Sequence, residues 1–289
     1  MFKVKQTHPS LDSKREGSLY MKKSENTGIK MSFLNLVWEH KITGIMLSLI
    51  LLLGFWWLVS FSIPIFIPSP LDTLKAMYAL IIQGQIFSYA LITIYRILVG
   101  WVIGVILGIT IGWLIAQSSI FKRIVDPYMN FFRFIPPIIW ITMFIIWFGY
   151  TEAMRFSLIA YATLVICVIH GTAGMIGIPE EKIRAALNVG VKGWELFWKV
   201  KIPAALPEAF IGMRVGMTNS FMVIVAVEML TASSGLGYLA WTSKMYFRLD
   251  NVFCSIIILG LMGLIIDTIF KKIVGKLFFR YGVTFGSSQ

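Results

Sequence analysis

A handful of ionisable side chains sit inside otherwise apolar runs: Arg96, Arg133, His170, Arg214, Glu228, Asp267 and Lys271. Charges in a hydrophobic layer are costly, so each is a functional candidate or needs a partner. Arg133 lies about one turn into its run, beside Pro136 and Pro137. There it can face a pathway or gate, or reach back to the headgroups. Arg214 is placed for the same snorkelling, and Arg96 for anchoring at the opposite leaflet. Glu228 lies beside the Ser233-Ser234-Gly235 loop, which suits a gate or a subunit contact. Asp267 and Lys271 are four apart on one helix face and should pair. Thr218, Asn219 and Ser220 form a polar patch at mid-run, open to a neighbouring helix or to a polar solute. His170 makes no metal site by itself, and a helix-to-helix hydrogen bond is expected of it.

These residues do not add up to catalysis. A membrane-embedded hydrolase or acyltransferase needs a nucleophile with a base, or clustered metal ligands. The chain has only His8, His40 and His170 and no His-Glu-x-x-His. Gly275-Lys276 is followed by Leu277 and lacks the upstream glycine of a phosphate-binding loop. Cys167 and Cys254 lie in apolar runs and read as small buried hydrophobes. The expectation is a chain with no catalytic residue, metal or cofactor of its own. What remains is to line, gate or pack a route across a membrane.

The elements that must position these residues follow from composition. Hydrophobic residues make up 57% of the 289 and charged residues 14%, against about 25% charged in a soluble domain. With a mean hydropathy of +0.79, the chain is an all-α integral membrane protein. Its basic residues flank the apolar runs rather than forming a stripe, so the net charge of +12 reflects membrane topology and not nucleic-acid binding. Six transmembrane helices are expected, over about 42–63, 90–116, 128–148, 156–177, 208–230 and 252–273. With the N-terminus in the cytoplasm, nineteen Lys and Arg flank the spans on the inside, Lys271 and Lys272 counted with the tail, and four on the outside. That bias places both termini in the cytoplasm. Residues 1–41 form a cytoplasmic segment, disordered over 1–29, with 30–41 either an interfacial helix or a plain flank. Residues 42–280 form the six-span domain and 281–289 a cytoplasmic tail.

Two patterns concern packing. Gly100, Gly104, Gly108 and Gly112 are each four apart, which bares one helix face and lets another helix come close. Pro136-Pro137 removes backbone donors, leaving a broken helix beside a pathway or a tolerated kink.

Residues 178–207 are different in kind. Pro179 and the acidic pair Glu180-Glu181 suit a helix start. A short helix follows, Gly190 suits its left-handed stop, and Trp194 opens a second short helix that Pro203 and Pro207 should break. The Ala185-Ala186 pair leaves a shallow surface that a partner's groove could receive, or the segment is an ordinary structured loop.

This segment resembles the signature loop of permease subunits of ATP-binding cassette importers, whose pattern is Glu-Ala-Ala, three residues, Gly, nine residues, Ile-x-Leu-Pro. Ala185, Ala186, Gly190 and Pro203 reproduce the spacing, with Arg184, Val200 and Ile202 at the departing positions. The stretches 67–74, 126–140 and 227–239 resemble the nitrate/sulfonate/taurine branch in the same order. The resemblance implies a type I importer permease fold in a prokaryotic cell membrane. It implies a second permease copy, two cytoplasmic ATPases that hold ATP and magnesium, and an external solute-binding protein. It implies a coupling helix in 182–200 that contacts the ATPase through Arg184, Ala185, Ala186, Leu187, Gly190, Trp194 and the Pro203 end. It also implies a small solute, such as nitrate, a sulfonate, taurine or bicarbonate, with Arg133, Pro136, Pro137, Thr218, Asn219, Ser220 and Glu228 as pathway candidates. The alternative is a gradient-driven transporter or channel without an ATPase.

Overall fold

The computed structural model describes residues 41–278, and every regular element among them is helical. The expected N-terminal disorder, the 30–41 helix apart from Lys41, and the tail lie outside the described residues. The chain divides into two compact units, with the boundary between Pro70 and Leu71. The first holds α1, Lys41–Ser62. This helix is apolar round its whole circumference, as lipid-facing helices are, so its sequence marks no face for protein. Beyond its end, Trp56 Nε1 donates to Pro68 O at 3.1 Å.

The second unit contains α2 (Pro70–Ile82), α3 (Gln85–Ile115), α4 (Ser119–Phe132), a 3₁₀ turn (Pro137–Trp140) and α5 (Ile141–Phe148). It continues with α6 (Glu152–Ile176), α7 (Glu180–Asn188), α8 (Gly193–Leu196), α9 (Ile202–Thr231), α10 (Leu236–Met245) and α11 (Leu249–Leu277). Its centre is α3 against α6. A Cβ placed on Gly100 would meet Ile159, one on Gly104 would meet Thr163, and one on Gly108 would lie 2.6 Å from Cys167 Cβ and 2.7 Å from Leu164 O. At Gly112 the neighbour is Val168 O, at 2.5 Å. The four glycines thus bring two backbones into contact, which is how helices associate where lipid removes the hydrophobic drive.

The partner numbers climb together along this seam, so α3 and α6 run parallel. The chain between Ile115 and Glu152 must therefore return across the whole height of the bundle. It does so through a broken element. The span expected over 128–148, with a break or a kink at Pro136-Pro137, is α4 followed by the Pro137–Phe148 helical pair, bent by 88°. Pro136 is extended, with φ −58° and ψ 131°, and neither proline can donate to the preceding turn. α4 places Ile120, Ile124, Tyr128 and Phe131 on one exposed face, with Lys122, Asp126 and Asn130 opposite. That division suits a helix at the edge of the apolar layer, and only α4 and the Pro137–Phe148 pair together are long and apolar enough to count as one span. Counting the bent pair as one, the second unit and α1 together give six candidate spans.

α9 packs antiparallel to α6 through a second close seam, where Gly212 faces His170 and Gly216 faces Thr163. α2 and α10, two short helices absent from the six expected runs, cap one end of the unit. Leu80, Leu239 and Cys254 form their common core with α11.

Candidate functional site

Three places gather the chemistry. The first is the segment between α6 and α9. α7 begins after Pro179, and Arg184 Nη2 reaches Glu180 Oε2 at 2.6 Å along its exposed face. Its end is a Schellman turn: Val191 N donates to Ala186 O at 3.1 Å, Gly190 N donates to Leu187 O at 3.0 Å, and Gly190 has φ +88°. That φ requires glycine, because a Cβ would clash with the backbone. Pro203 does not break the second helix. A π-helical turn, Phe197–Lys201, joins α8 to α9, with Ile202 N donating to Phe197 O. Widening the turn by one residue lets the chain run through Pro203 into a helix that carries Pro207 in its interior.

Phe197, Ile178 and Ile202 are buried with Met175 and Ala205 in one cluster. Each such burial contributes roughly 1.5–3 kcal/mol, enough to hold helices too short to persist alone. Lys201 Nζ adds a contact to Gln117 Oε1 at 3.1 Å. Yet Val189 is 77% exposed and Trp194 68%, and Leu187 and Trp198 also point outward. The segment is a fixed platform with apolar side chains on its free face.

The second place is a groove of about 510 Å³ between the middle of α9 and α11. Met217, Phe221, Met222 and Leu264 form apolar walls, and Arg214, Thr218 and Asp267 are its polar groups. Arg214 Nε lies 2.6 Å from Asp267 Oδ1, and Lys271 Nζ lies 2.7 Å from Asp267 Oδ2. Asp267 and Lys271 pair as their spacing requires, but Arg214 is an interhelical partner rather than a snorkelling residue. Two cations and one anion leave the cluster net positive. Only Thr218 of the polar patch lines this groove. Asn219 Nδ2 donates to Ala162 O at 3.2 Å, and Ser220 Oγ lies 2.9 Å from Thr163 Oγ1, so both close the α6–α9 seam. His170 Nδ1 is 2.8 Å from Glu208 Oε1 in the same seam, as a helix-to-helix bond. Arg133 stands apart at the break, exposed, with its guanidinium 4.8 Å from the Phe134 ring centre. Pro136 and Pro137 stay with it.

The third place was invisible as a unit in the sequence. Arg96 is not a leaflet anchor but the hub of a buried network at the end of the unit opposite α7. Its Nε and Nη2 grip the Glu152 carboxylate at 2.8 and 2.6 Å, and its Nη1 lies 2.8 Å from Glu228 Oε1. Arg155 Nη1 shares Glu152 Oε1 at 2.7 Å, and its Nη2 donates to Thr231 O. Thr93 Oγ1 donates to the Glu228 carboxylate at 3.0 Å. Thr93, Glu152 and Arg155 were no candidates. The available signal was that Arg96, near the start of one apolar run, and Glu228, near the end of another, are opposite charges expected on the same side of the membrane, and intramembrane charges pair.

Residues 104–280, well over half of the chain, match the family described as binding-protein-dependent transport system inner membrane component. A probable ABC transporter permease protein of Brucella melitensis is 30% identical over 234 residues, covering 80% of this chain and 95% of its own. The taurine transport system permease protein of Escherichia coli is 26% identical, covering 76% and 83%. The nitrate import permease protein of Synechocystis is 25% identical, covering 82% and 90%. The buried glycine seams, the apolar helices and these matches lead to one conclusion: the chain belongs to the binding-protein-dependent transport inner membrane family, as an ATP-binding cassette importer permease of the nitrate, sulfonate and taurine type.

Proposed function

We propose that two copies of this chain form the pathway of an importer for a small anion, driven by two cytoplasmic ATPases that hold ATP and magnesium. An external binding protein delivers the solute. The observation that carries this reading is the platform of α7, α8 and the π turn. It is packed onto its own helices through Ile178, Phe197 and Ile202, yet it turns Leu187, Val189, Trp194 and Trp198 outward, as a helix meant for a partner's groove must. The excess of Lys and Arg supports a cytoplasmic position for the platform and both termini. An ATPase seated there could move α6 and α9 together, because the platform is continuous with both. The Arg214–Asp267–Lys271 cluster at the groove carries a net positive charge, which favours an anion or the sulfonate end of a zwitterion, in keeping with the nitrate and taurine named for two relatives.

The test is a mild-detergent pull-down of the tagged chain from its native membranes, with mass spectrometry of what accompanies it. An ATPase at about one-to-one stoichiometry is expected, as is its loss from the double variant Leu187→Lys/Trp194→Ala while membrane insertion is unchanged. Gly190 is a poorer place to test, because any side chain there strains the turn. An intact dimer that carries no ATPase would move the reading to a gradient-driven transporter.

A further inference from the structure

We infer that Arg96 and Glu228 are positioning residues: their buried pair caps and seats helix α10, so that α10 travels with the α3–α6–α9 body during transport. The transport consequence rests on the importer reading, but the seating does not.

The first backbone N–H groups of a helix have no intrahelical partner and are usually capped by the residue just before it. α10 has Gly235 there and no side-chain cap. Its donors are met from elsewhere. Leu236 N donates to Thr93 Oγ1 of α3 at 3.0 Å, and Gly237 N donates to Glu228 Oε2 of α9 at 2.9 Å. Arg96 completes the hold, with Nη1 on Ser234 O at 2.6 Å and Nη2 on Ser234 Oγ at 3.3 Å. The turn lies directly on the carboxylate. Gly235 has φ +113°, and a Cβ there would overlap the Glu228 carboxyl group, while one on Gly237 would lie 2.8 Å from Glu228 Cβ. The run Ser233-Ser234-Gly235-Leu236-Gly237 is thus shaped to the network, not to solvent.

Stability does not explain the arrangement. Glu228 is 0% exposed and Arg96 2%, and a buried ion pair often contributes no more than apolar residues of the same volume. What it adds is geometry. A guanidinium presents a rigid fork of donors, and here that fork joins α6, α9 and the turn before α10. Downstream, α10 inserts Leu239 against Leu80 of α2 and Cys254 of α11. It also supplies Tyr238, Thr242 and Ser243 to a polar groove of about 1010 Å³. Placing α10 therefore places the wall of that groove. The broken element of Pro137–Phe148 has no residue in the network.

Cys254 reports on the seat. It is fully buried beneath Leu239, with its Sγ 3.1 Å from Thr73 O. Cys167, equally buried, sits in the seam at Gly108. The experiment follows maleimide labelling of each thiol in native membranes, in Cys167→Ala and Cys254→Ser backgrounds, with Glu228→Gln and Arg96→Lys. Both substitutions nearly preserve volume: Arg96→Lys removes the fork, and Glu228→Gln puts an amide donor in place of one of the oxygens that accept from Arg96 and Gly237 N. Cys254 labelling should rise about tenfold or more, since an unmet buried polar group shifts local opening by that order, while Cys167 stays protected. In the purified complex the ratio of solute-stimulated to basal ATPase activity should fall in the same variants. Unchanged Cys254 labelling in both variants would overturn the inference. So would both thiols opening together, because the network would then hold the whole fold and not one helix. Because the labelling needs no ATPase, a chain that proved not to couple to one would leave this result standing.

Discussion

The two ends of the α3–α6–α9 body treat their charges in opposite ways. At the Arg96 end, Glu228 and both arginines are buried, and the Glu228 carboxylate and the Arg96 guanidinium are satisfied across three helices and a turn. At the platform end, the ion pairs are exposed and local: Glu180 with Arg184, and Glu195 with Lys199, each four residues apart and 2.6 Å across. Such pairs are worth about 0.3–0.5 kcal/mol, so they shape a helix without tying it to anything. The burial of apolar groups is reversed as well. Leu236 is fully buried beside the network, whereas Trp194 and Val189 of the platform face out. One end is closed on itself and the other leaves apolar side chains uncovered, which is the asymmetry that the proposed docking of a partner on the platform requires.

The hardest way to break the comparison is Arg96→Leu. It leaves Glu228 as an unpaired buried charge and removes the grip on Glu152 and Ser234 together. A loss of roughly 3–5 kcal/mol is expected, the cost of breaking a buried pair from one side. Unfolding of the detergent-solubilised chain, followed by helix signal against denaturant, measures it. A loss below about 1 kcal/mol would mean that water reaches the network and that this end is as open as the other.

What the sequence shows of this asymmetry is uneven, for physical reasons. The glycine ruler is legible because small residues four apart leave only a bare face, and the structure puts that face on α6. Apolar runs locate α1, α3, α6, α9 and α11 because a bilayer fixes their length. α2 and α10 are too short and mixed to register by the same rule. Pro136-Pro137 announces a break but not an 88° turn, since the direction depends on how neighbouring helices receive the chain. Pro203 misleads because a π turn, which no composition marks, absorbs it. The Arg96–Glu228 pair spans 132 residues of chain. Alone, Arg96 reads as a leaflet anchor and Glu228 as a gate or a subunit contact. Only the parallel packing of α3 on α6 and the antiparallel return of α9 bring them to one depth.

Between the ends, Asn219→Ala sharpens the contrast. Asn219 bonds Ala162 O across the α6–α9 seam, well away from both the network and the platform. Interhelical hydrogen bonds within membranes average about 0.6 kcal/mol and reach about 1.7. A destabilisation in that range is expected on the same denaturant curve, with the ATPase still bound and solute uptake near normal. If uptake collapses while stability holds, Asn219 touches the solute, and the seam is part of the pathway rather than the rod between the two ends.

The smallest expected effect lies at the platform. Arg184→Glu restores the acidic residue of the Glu-Ala-Ala pattern and places it four residues from Glu180. The favourable pair becomes a repulsive one, but both side chains are about three-quarters exposed, so water and salt screen the change. The fold should lose no more than about 0.5 kcal/mol, near the limit of measurement. Association with the ATPase reads the same substitution from the other side. Should the partner have adapted to a cation at this position, the variant will release it even though the chain is as stable as before. Should association be unaffected, the contact is made by the apolar face of Leu187, Val189 and Trp194, and Arg184 serves only to hold the first turns of α7. Either result separates the residues that shape the platform from those that meet the partner, a distinction that does not arise at the closed end, where the buried side chains bond only within this chain.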